Sequence, residues 1–163
     1  MSNTRQKLLA AEQKAAELFQ AVYDGGLIVS GKSEKQLNDE VVKVAHDVFG
    51  VQTFWHKKIV RAGINTMCPY SAEPPDVLIK DDDIVIIDFG PVFDGYEADY
   101  ARTFVIGDDA NKRTVKAASE AAWEEANAWY NRQTSLTGAQ FFTYLCNLAR
   151  QYGYEYGGEI GGH

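Results

Sequence analysis

An α+β fold is predicted by the order in which helical and strand-like patterns follow one another: helix, helix, strand, long connection, strand, strand, helix, helix. The strand-like stretches gather in the middle of the chain instead of alternating with helices, which excludes a parallel doubly wound sheet. An Asp94-Gly95 pair lies between two of them and signals a tight antiparallel hairpin. The 163 residues suffice for one domain that buries about two thirds of its unfolded surface. Hydrophobic residues at 45% and charged residues at 24% match globular proteins and exclude disordered or fibrous ones. Neither a linker nor an internal repeat divides the chain, so residues 1–163 are expected to form a single domain.

Over residues 4–23 the apolar positions Leu8, Ala11, Ala15, Leu18, Phe19 and Val22 recur at intervals of three and four, which makes one stripe of a helix. Asp24-Gly25-Gly26 ends it. A second helix opens at Ser33, whose hydroxyl is placed to cap while Gln36 reaches back. It directs Leu37, Val41, Val44, Ala45 and Val48 inward until Gly50 supplies a left-handed stop. Residues 53–61 are rich in aromatic and β-branched side chains and read as a strand. Residues 63–83 hold Pro69, Pro74 and Pro75 and end in Asp81-Asp82-Asp83, which reads as a long connection closing in a solvated acidic turn. The run Ile84-Val85-Ile86-Ile87 is continuous enough for a strand buried on both faces, and it stops at Asp88. Beyond the hairpin, Val115, Ala118, Ala122, Ala126 and Trp129 mark a packing helix from Asp109 to about Arg132. A fourth helix starts at Thr137, again with glutamine three residues on, and turns Phe141, Leu145, Leu148 and Tyr152 inward before Gly153 stops it.

Charge and hydropathy narrow the function. Sixteen Lys plus Arg against 23 Asp plus Glu give a net charge of −7, a poor match to phosphate backbones, so no nucleic-acid partner is expected. No apolar run approaches the roughly 20 residues that span a bilayer, and Lys7, Glu12, Lys14 and Glu17 interrupt the place where a secretory signal needs an apolar core. Cys68 and Cys146 are too few for a disulfide scaffold and read as ordinary thiols of a reducing compartment. A soluble cytoplasmic protein without a membrane partner is expected.

The chemistry is concentrated in the hairpin. If Asp94 and Gly95 form the turn, Phe93 faces Tyr96, and Asp99 lies opposite Gly90 and diagonal to Asp88. Both aspartates then point to the same face, provided that Pro91 does not insert a bulge that shifts the register. Two carboxylates aimed together repel unless a cation lies between them, and oxygen ligands without thiolates suit Mn²⁺, Mg²⁺, Fe²⁺, Co²⁺ or Zn²⁺. The residues alone leave a second reading open, in which these are surface acids and Asp99 pairs with Arg102.

Asp88, the Gly95-Tyr96 pair, Asp99 eleven positions after the first aspartate, and Arg102-Thr103-Phe104 together resemble the metal-binding signature of the pita-bread metallopeptidases. These are methionine aminopeptidase, aminopeptidase P, prolidase and creatinase-like proteins. Gly157-Gly158-Glu159-Ile160-Gly161-Gly162-His163 resembles the glycine-framed segment that presents this family's metal-ligating histidine. The order of elements fits the first part of that fold over nearly the whole chain. Gly95-Tyr96 and Arg102-Thr103-Phe104 bring it closer to aminopeptidase P and prolidase than to methionine aminopeptidase.

The resemblance implies that Asp88, Asp99 and His163 bind two divalent ions (Mn, Co, Fe or Zn), with Asp99 bridging them. It also implies cleavage of an N-terminal peptide bond or a related C–N bond in a small peptide or amide by a metal-activated hydroxide. The family adds two glutamates after the histidine, so residues 1–163 are expected to be a catalytic-type domain incomplete at its C-terminus, with the catalytic glutamate beyond residue 163. Such a portion of the fold exposes apolar surface and tends towards a homodimer. Where peptidases of this family carry a substrate-contacting histidine, this chain has Cys68-Pro69-Tyr70-Ser71. Tyr70 is expected to contact the substrate, with His56 supplying the missing imidazole; tyrosine donates a hydrogen bond but does not become a cation. That departure leaves an alternative, a catalytically inactive member that binds peptides or proteins.

Overall fold

Two helices and a small antiparallel sheet make up the first of two units found in a computed structural model, which describes residues 3–161. This unit comprises the chain up to Cys68 together with Glu73–Asp109. In order it contains α1 (Asn3–Asp24), α2 (Glu34–Asp47), β1 (Ile59–Ala62), a 3-10 turn (Gly63–Met67), β2 (Ile84–Phe89), β3 (Val92–Phe93), β4 (Tyr96–Glu97) and β5 (Tyr100–Val105). The strands β1, β2 and β5 form one sheet in that order, all antiparallel, and β3 pairs with β4. The expected α+β class is what the chain adopts.

The apolar stripe of α1 forms half of the core: Ala11, Ala15, Leu18, Phe19 and Val22 are buried, whereas Leu8 lies outside the buried stretch at 45% exposure. Phe19 meets Phe89 of β2 edge-on at 6.5 Å and Tyr100 of β5 at 4.9 Å. Leu37, Val41 and Ala45 of α2 join the same cluster. Val48 does not follow them, because it is the residue at which the helix ends, and it is 69% exposed. Burial along β2 alternates: Val85, Ile87 and Phe89 face the helices, while Ile84, Ile86 and Asp88 are partly exposed. The strand is therefore buried on one face and not on two. A continuous β-branched run cannot distinguish the cases, since the helices of this unit cover a single side.

At the start of α2, Ser33 and Gln36 form the expected reciprocal cap. Glu34, buried in the first turn, accepts from the Ala62 backbone N–H at 2.6 Å and from Asn65 Nδ2 at 3.0 and 3.1 Å, which ties the helix to the end of β1. Ser33→Ala is expected to lower stability by about 1 kcal/mol, to be read from urea unfolding. Asp83, the last of the acidic run, is not solvated: it is buried, and its carboxylate accepts from the Lys80 N–H at 2.9 Å.

The hairpin has the anticipated geometry. Asp94 and Gly95 both have positive φ, 53° and 82°, as a two-residue type I′ turn requires. Phe93 lies opposite Tyr96 and Val92 opposite Glu97, and beyond the proline Phe89 lies opposite Tyr100 and Asp88 opposite Ala101. The register is the same on both sides of Pro91, so the proline interrupts the ladder without inserting a residue. Ala98 still donates to the Pro91 carbonyl at 3.0 Å. A Cβ on Gly95 would meet nothing within 4 Å, so Gly95→Ala carries only the backbone penalty of a positive φ. The expected loss is about 1 kcal/mol in chemical unfolding.

The second unit comprises Pro69–Ala72 and the chain from Ala110 onward. It holds α3 (Ala110–Tyr130) and α4 (Gly138–Gln151), the latter capped by Thr137 and Gln140 as expected. Trp129 stacks on Tyr144 at 4.0 Å and lies parallel to Phe141 at 6.1 Å. Ala126 and Leu148 are the buried residues of these two helices, so most of the faces expected inward are half-buried. Among the described residues, no helix is long and apolar enough to cross a membrane.

Candidate metal centre

The site begins where β2 leaves the sheet. Asp88 lies on the face of β2 opposite Val85, Ile87 and Phe89, and thus away from the helical core. Asp99 precedes β5 and shares the side of Ala101, the residue paired with Asp88. The hairpin thus turns both carboxylates to one face, as its spacing predicted. Arg102 does not serve as the partner of Asp99: its guanidinium donates to the Ala101 carbonyl and the Tyr100 hydroxyl and lies over the Tyr100 ring at 3.9 Å.

His56 arrives from a segment that behaves differently from its sequence pattern. Residues 53–61 are not one strand. Phe54 makes a single bridge to Pro91, with Trp55 N–H donating to the Gly90 carbonyl at 2.9 Å and Val92 N–H to the Thr53 carbonyl at 3.1 Å. The chain then turns, and regular pairing resumes at Ile59. Pro91 has no N–H with which to extend a ladder, so the pairing stays local. Over Gly90 the chain passes from Phe54, which meets Phe89 edge-on at 5.6 Å, to His56 beside the two acids.

His56 Nε2 lies 3.8 Å from Asp88 Oδ1 and 3.6 Å from Asp99 Oδ1, and one ligand atom from each of the three residues lies within 4.8 Å of the others. The three side chains form a graded mouth: 9% exposed for His56, 26% for Asp88 and 47% for Asp99. The imidazole is fixed on its other side, where Nδ1 meets the Lys57 carbonyl at 2.7 Å. Trp55 packs edge-on against it at 4.5 Å and donates from Nε1 to the Ala98 carbonyl at 2.7 Å. Lys57 donates to Glu73 at 2.6 Å, and this hydrogen bond holds the Glu73 carboxyl below the usual carboxylate range. Two carboxylate oxygens and one imidazole nitrogen suit a hard or borderline divalent cation, so these residues fit the ion that the hairpin motif implies.

The structure therefore brings together Asp88, Asp99 and His56. Tyr70 belongs to the second unit, where it is 53% exposed in a turn closed by Ala72 N–H donating to the Pro69 carbonyl at 3.0 Å. His163 lies outside the described residues. Sequence reasoning did not identify Trp55 and Gly90 as parts of the site. A signal for Gly90 exists, since a glycine directly after a buried strand marks a place where another part of the chain approaches closely.

Comparison with known proteins agrees with the fold and the hairpin. The chain matches metallopeptidase family M24 over residues 6–163 and belongs to that family. A putative Xaa-Pro aminopeptidase of Mycoplasma pneumoniae is 35% identical over 83 residues, which cover 50% of this chain and 23% of that protein. Among solved structures, prolidase from Thermococcus sibiricus superposes with a TM-score of 0.75 at 25% identity, over 93% of this chain and 40% of its own. X-Pro aminopeptidase from Thermotoga maritima gives 0.70 at 21% identity, over 91% and 40%. The chain thus has the N-terminal part of the pita-bread fold that these larger proteins share and lies on the aminopeptidase P and prolidase side of the family. It spans about a quarter of the curated relatives that it matches.

Proposed function

We propose that the protein is a metal-dependent hydrolase that cleaves an N-terminal peptide bond or a related C–N bond in small, Xaa-Pro-type peptides. The observation that carries this reading is the convergence of Asp88 and Asp99 on one face of the hairpin, within 4 Å of an enclosed imidazole. Two divalent ions, manganese, cobalt, iron or zinc, would supply water activation and Lewis-acid chemistry at this site when bound. Asp88 and Asp99 would hold the metal, and His163 is proposed as a further ligand. The Tyr70 hydroxyl is proposed to donate a hydrogen bond to the substrate. His56 was expected beside the substrate, and its Nε2 lies within 4 Å of both acids. The residues that complete the reaction are assigned to the whole protein, since this chain spans 40% of its solved prolidase relative. A cytoplasmic location is proposed on the two free cysteines, a small peptide is proposed as the partner, and a homodimer is proposed because a portion of such a fold exposes apolar surface.

Stripping the full-length protein of metal and reloading it with Mn²⁺ or Co²⁺ tests this reading. Hydrolysis of Xaa-Pro dipeptides and tripeptides is expected only after reloading. Asp88→Asn and Asp99→Asn are each expected to weaken metal binding in calorimetry by about 100-fold or more. Hydrolysis that persists in excess chelator, or metal binding unchanged in both variants, would remove the proposal. Tight peptide binding without turnover, indifferent to chelator, would instead establish the inactive peptide-binding alternative.

A further inference from the structure

We infer that His56, supplied from outside the hairpin, is itself a ligand of the ion held by Asp88 and Asp99, through Nε2. This inference rests on the metal-site reading above and extends it to a residue that the hairpin motif does not include.

Distance is the first argument. Ligand nitrogen and oxygen atoms sit about 2.1 Å from such an ion, so two atoms up to about 4.2 Å apart can share it. Nε2 is 3.8 Å from an Asp88 oxygen and 3.6 Å from an Asp99 oxygen, both inside that limit. The ion can therefore be accepted without moving the backbone.

Tautomer is the second. The Lys57 carbonyl has no proton to give, so the ring nitrogen 2.7 Å from it, Nδ1, must carry the hydrogen. In the neutral ring this leaves the Nε2 lone pair directed to the acids. A histidine whose distal N–H is held by a carbonyl or carboxylate is the usual arrangement at metal sites, because it fixes the ring and strengthens the other nitrogen as a donor.

Enclosure is the third. Nε2 is buried, and the side chain is 9% exposed, against 47% for Asp99. The ring is wedged over Gly90 and against Trp55, where a substrate would have to displace packed side chains to reach it. Asp99 is the most exposed of the three residues and His56 the most enclosed. His56 adds a nitrogen to a site whose hairpin ligands are both oxygens, which favours borderline ions such as Co²⁺, Fe²⁺ and Zn²⁺ over Mg²⁺.

The test uses the Co²⁺-loaded full-length protein and a readout independent of turnover. A histidine bound through Nε2 carries its Nδ1–H close to the paramagnetic ion, so proton NMR should show a strongly shifted exchangeable signal for it. Exchange of that proton should be slow because Lys57 holds it. His56→Gln is expected to abolish the signal and to weaken Co²⁺ binding by tenfold or more, with the near-UV circular dichroism unchanged. Selective ¹⁵N-histidine labelling of the wild type gives the same answer without a variant: the Nε2 resonance of His56 should move on Zn²⁺ addition. The inference fails if Asp88→Asn loses the ion while His56→Gln keeps both affinity and signal, or if the His56 resonance ignores zinc. The underlying metal-site reading fails separately, if Asp88→Asn and Asp99→Asn bind Co²⁺ as the wild type does.

Discussion

Gly90→Ala is expected to dismantle the enclosed side of the site. A Cβ at this position would stand 2.3 Å from His56 Cδ2, 2.5 Å from Trp55 Nε1 and 2.7 Å from His56 Nε2, all closer than atoms can approach. Both rings must withdraw, because β2 and the hairpin on either side are locked by their ladders. Trp55 then loses its hydrogen bond to the carbonyl of Ala98, a residue only 4% exposed. Overpacking and a buried acceptor without its donor each cost about 1–3 kcal/mol, so a loss of roughly 3 kcal/mol is expected. For a domain of this size that is on the order of 10 °C in Tm. Thermal unfolding measures it, and a red-shifted tryptophan emission should accompany it. Unaltered emission together with unaltered Tm would show that the rings do not cross the strand here.

The largest loss of stability is expected from Phe89→Ala. Phe89 is fully buried, with Phe19 edge-on at 6.5 Å and Phe54 at 5.6 Å, so the vacated volume is walled by a helix and by the segment that leads to His56. Removing a buried ring of this kind costs about 3–5 kcal/mol. The contrast with Ile86→Ala is informative, since Ile86 lies on the partly exposed face of the same strand and should cost clearly less. Urea unfolding of the two variants side by side checks the assignment of faces. Equal losses would contradict it.

The parts of this molecule that were legible in the sequence are those governed by short-range rules. The type I′ turn needs positive φ at two adjacent residues, and Asp94-Gly95 is a pair that tolerates it. Once that turn is placed, the period of two fixes every pair outward and brings Asp88 and Asp99 to one face. The caps at Ser33 and Thr137 were legible for the same reason. What was hidden depends on parts of the chain that meet far from one another in sequence. The aromatic run from Thr53 has strand composition, yet it breaks because it crosses Gly90 and meets a proline. His56 joins the acids through that crossing, and no local pattern announces it. The single-sided burial of β2 was hidden for a related reason, because composition reports that a strand is apolar but not which layers cover it. The family resemblance supplied roles for the two aspartates; it assigned none to Trp55 or Gly90.

The hairpin also sets an order of events in folding. Asp88 and Asp99 are joined by a two-residue turn, and contacts of that kind form within about 1–10 μs in an isolated hairpin. The Trp55 hydrogen bond to Ala98 spans 43 residues and must wait until a long loop has closed. A refolding chain therefore presents two open carboxylates before the imidazole arrives to enclose them. On the proposed metal-site reading, a divalent cation in the refolding buffer should meet a weak oxygen-only ligand first, and its residence time should lengthen in a second, slower step as the segment carrying His56 docks.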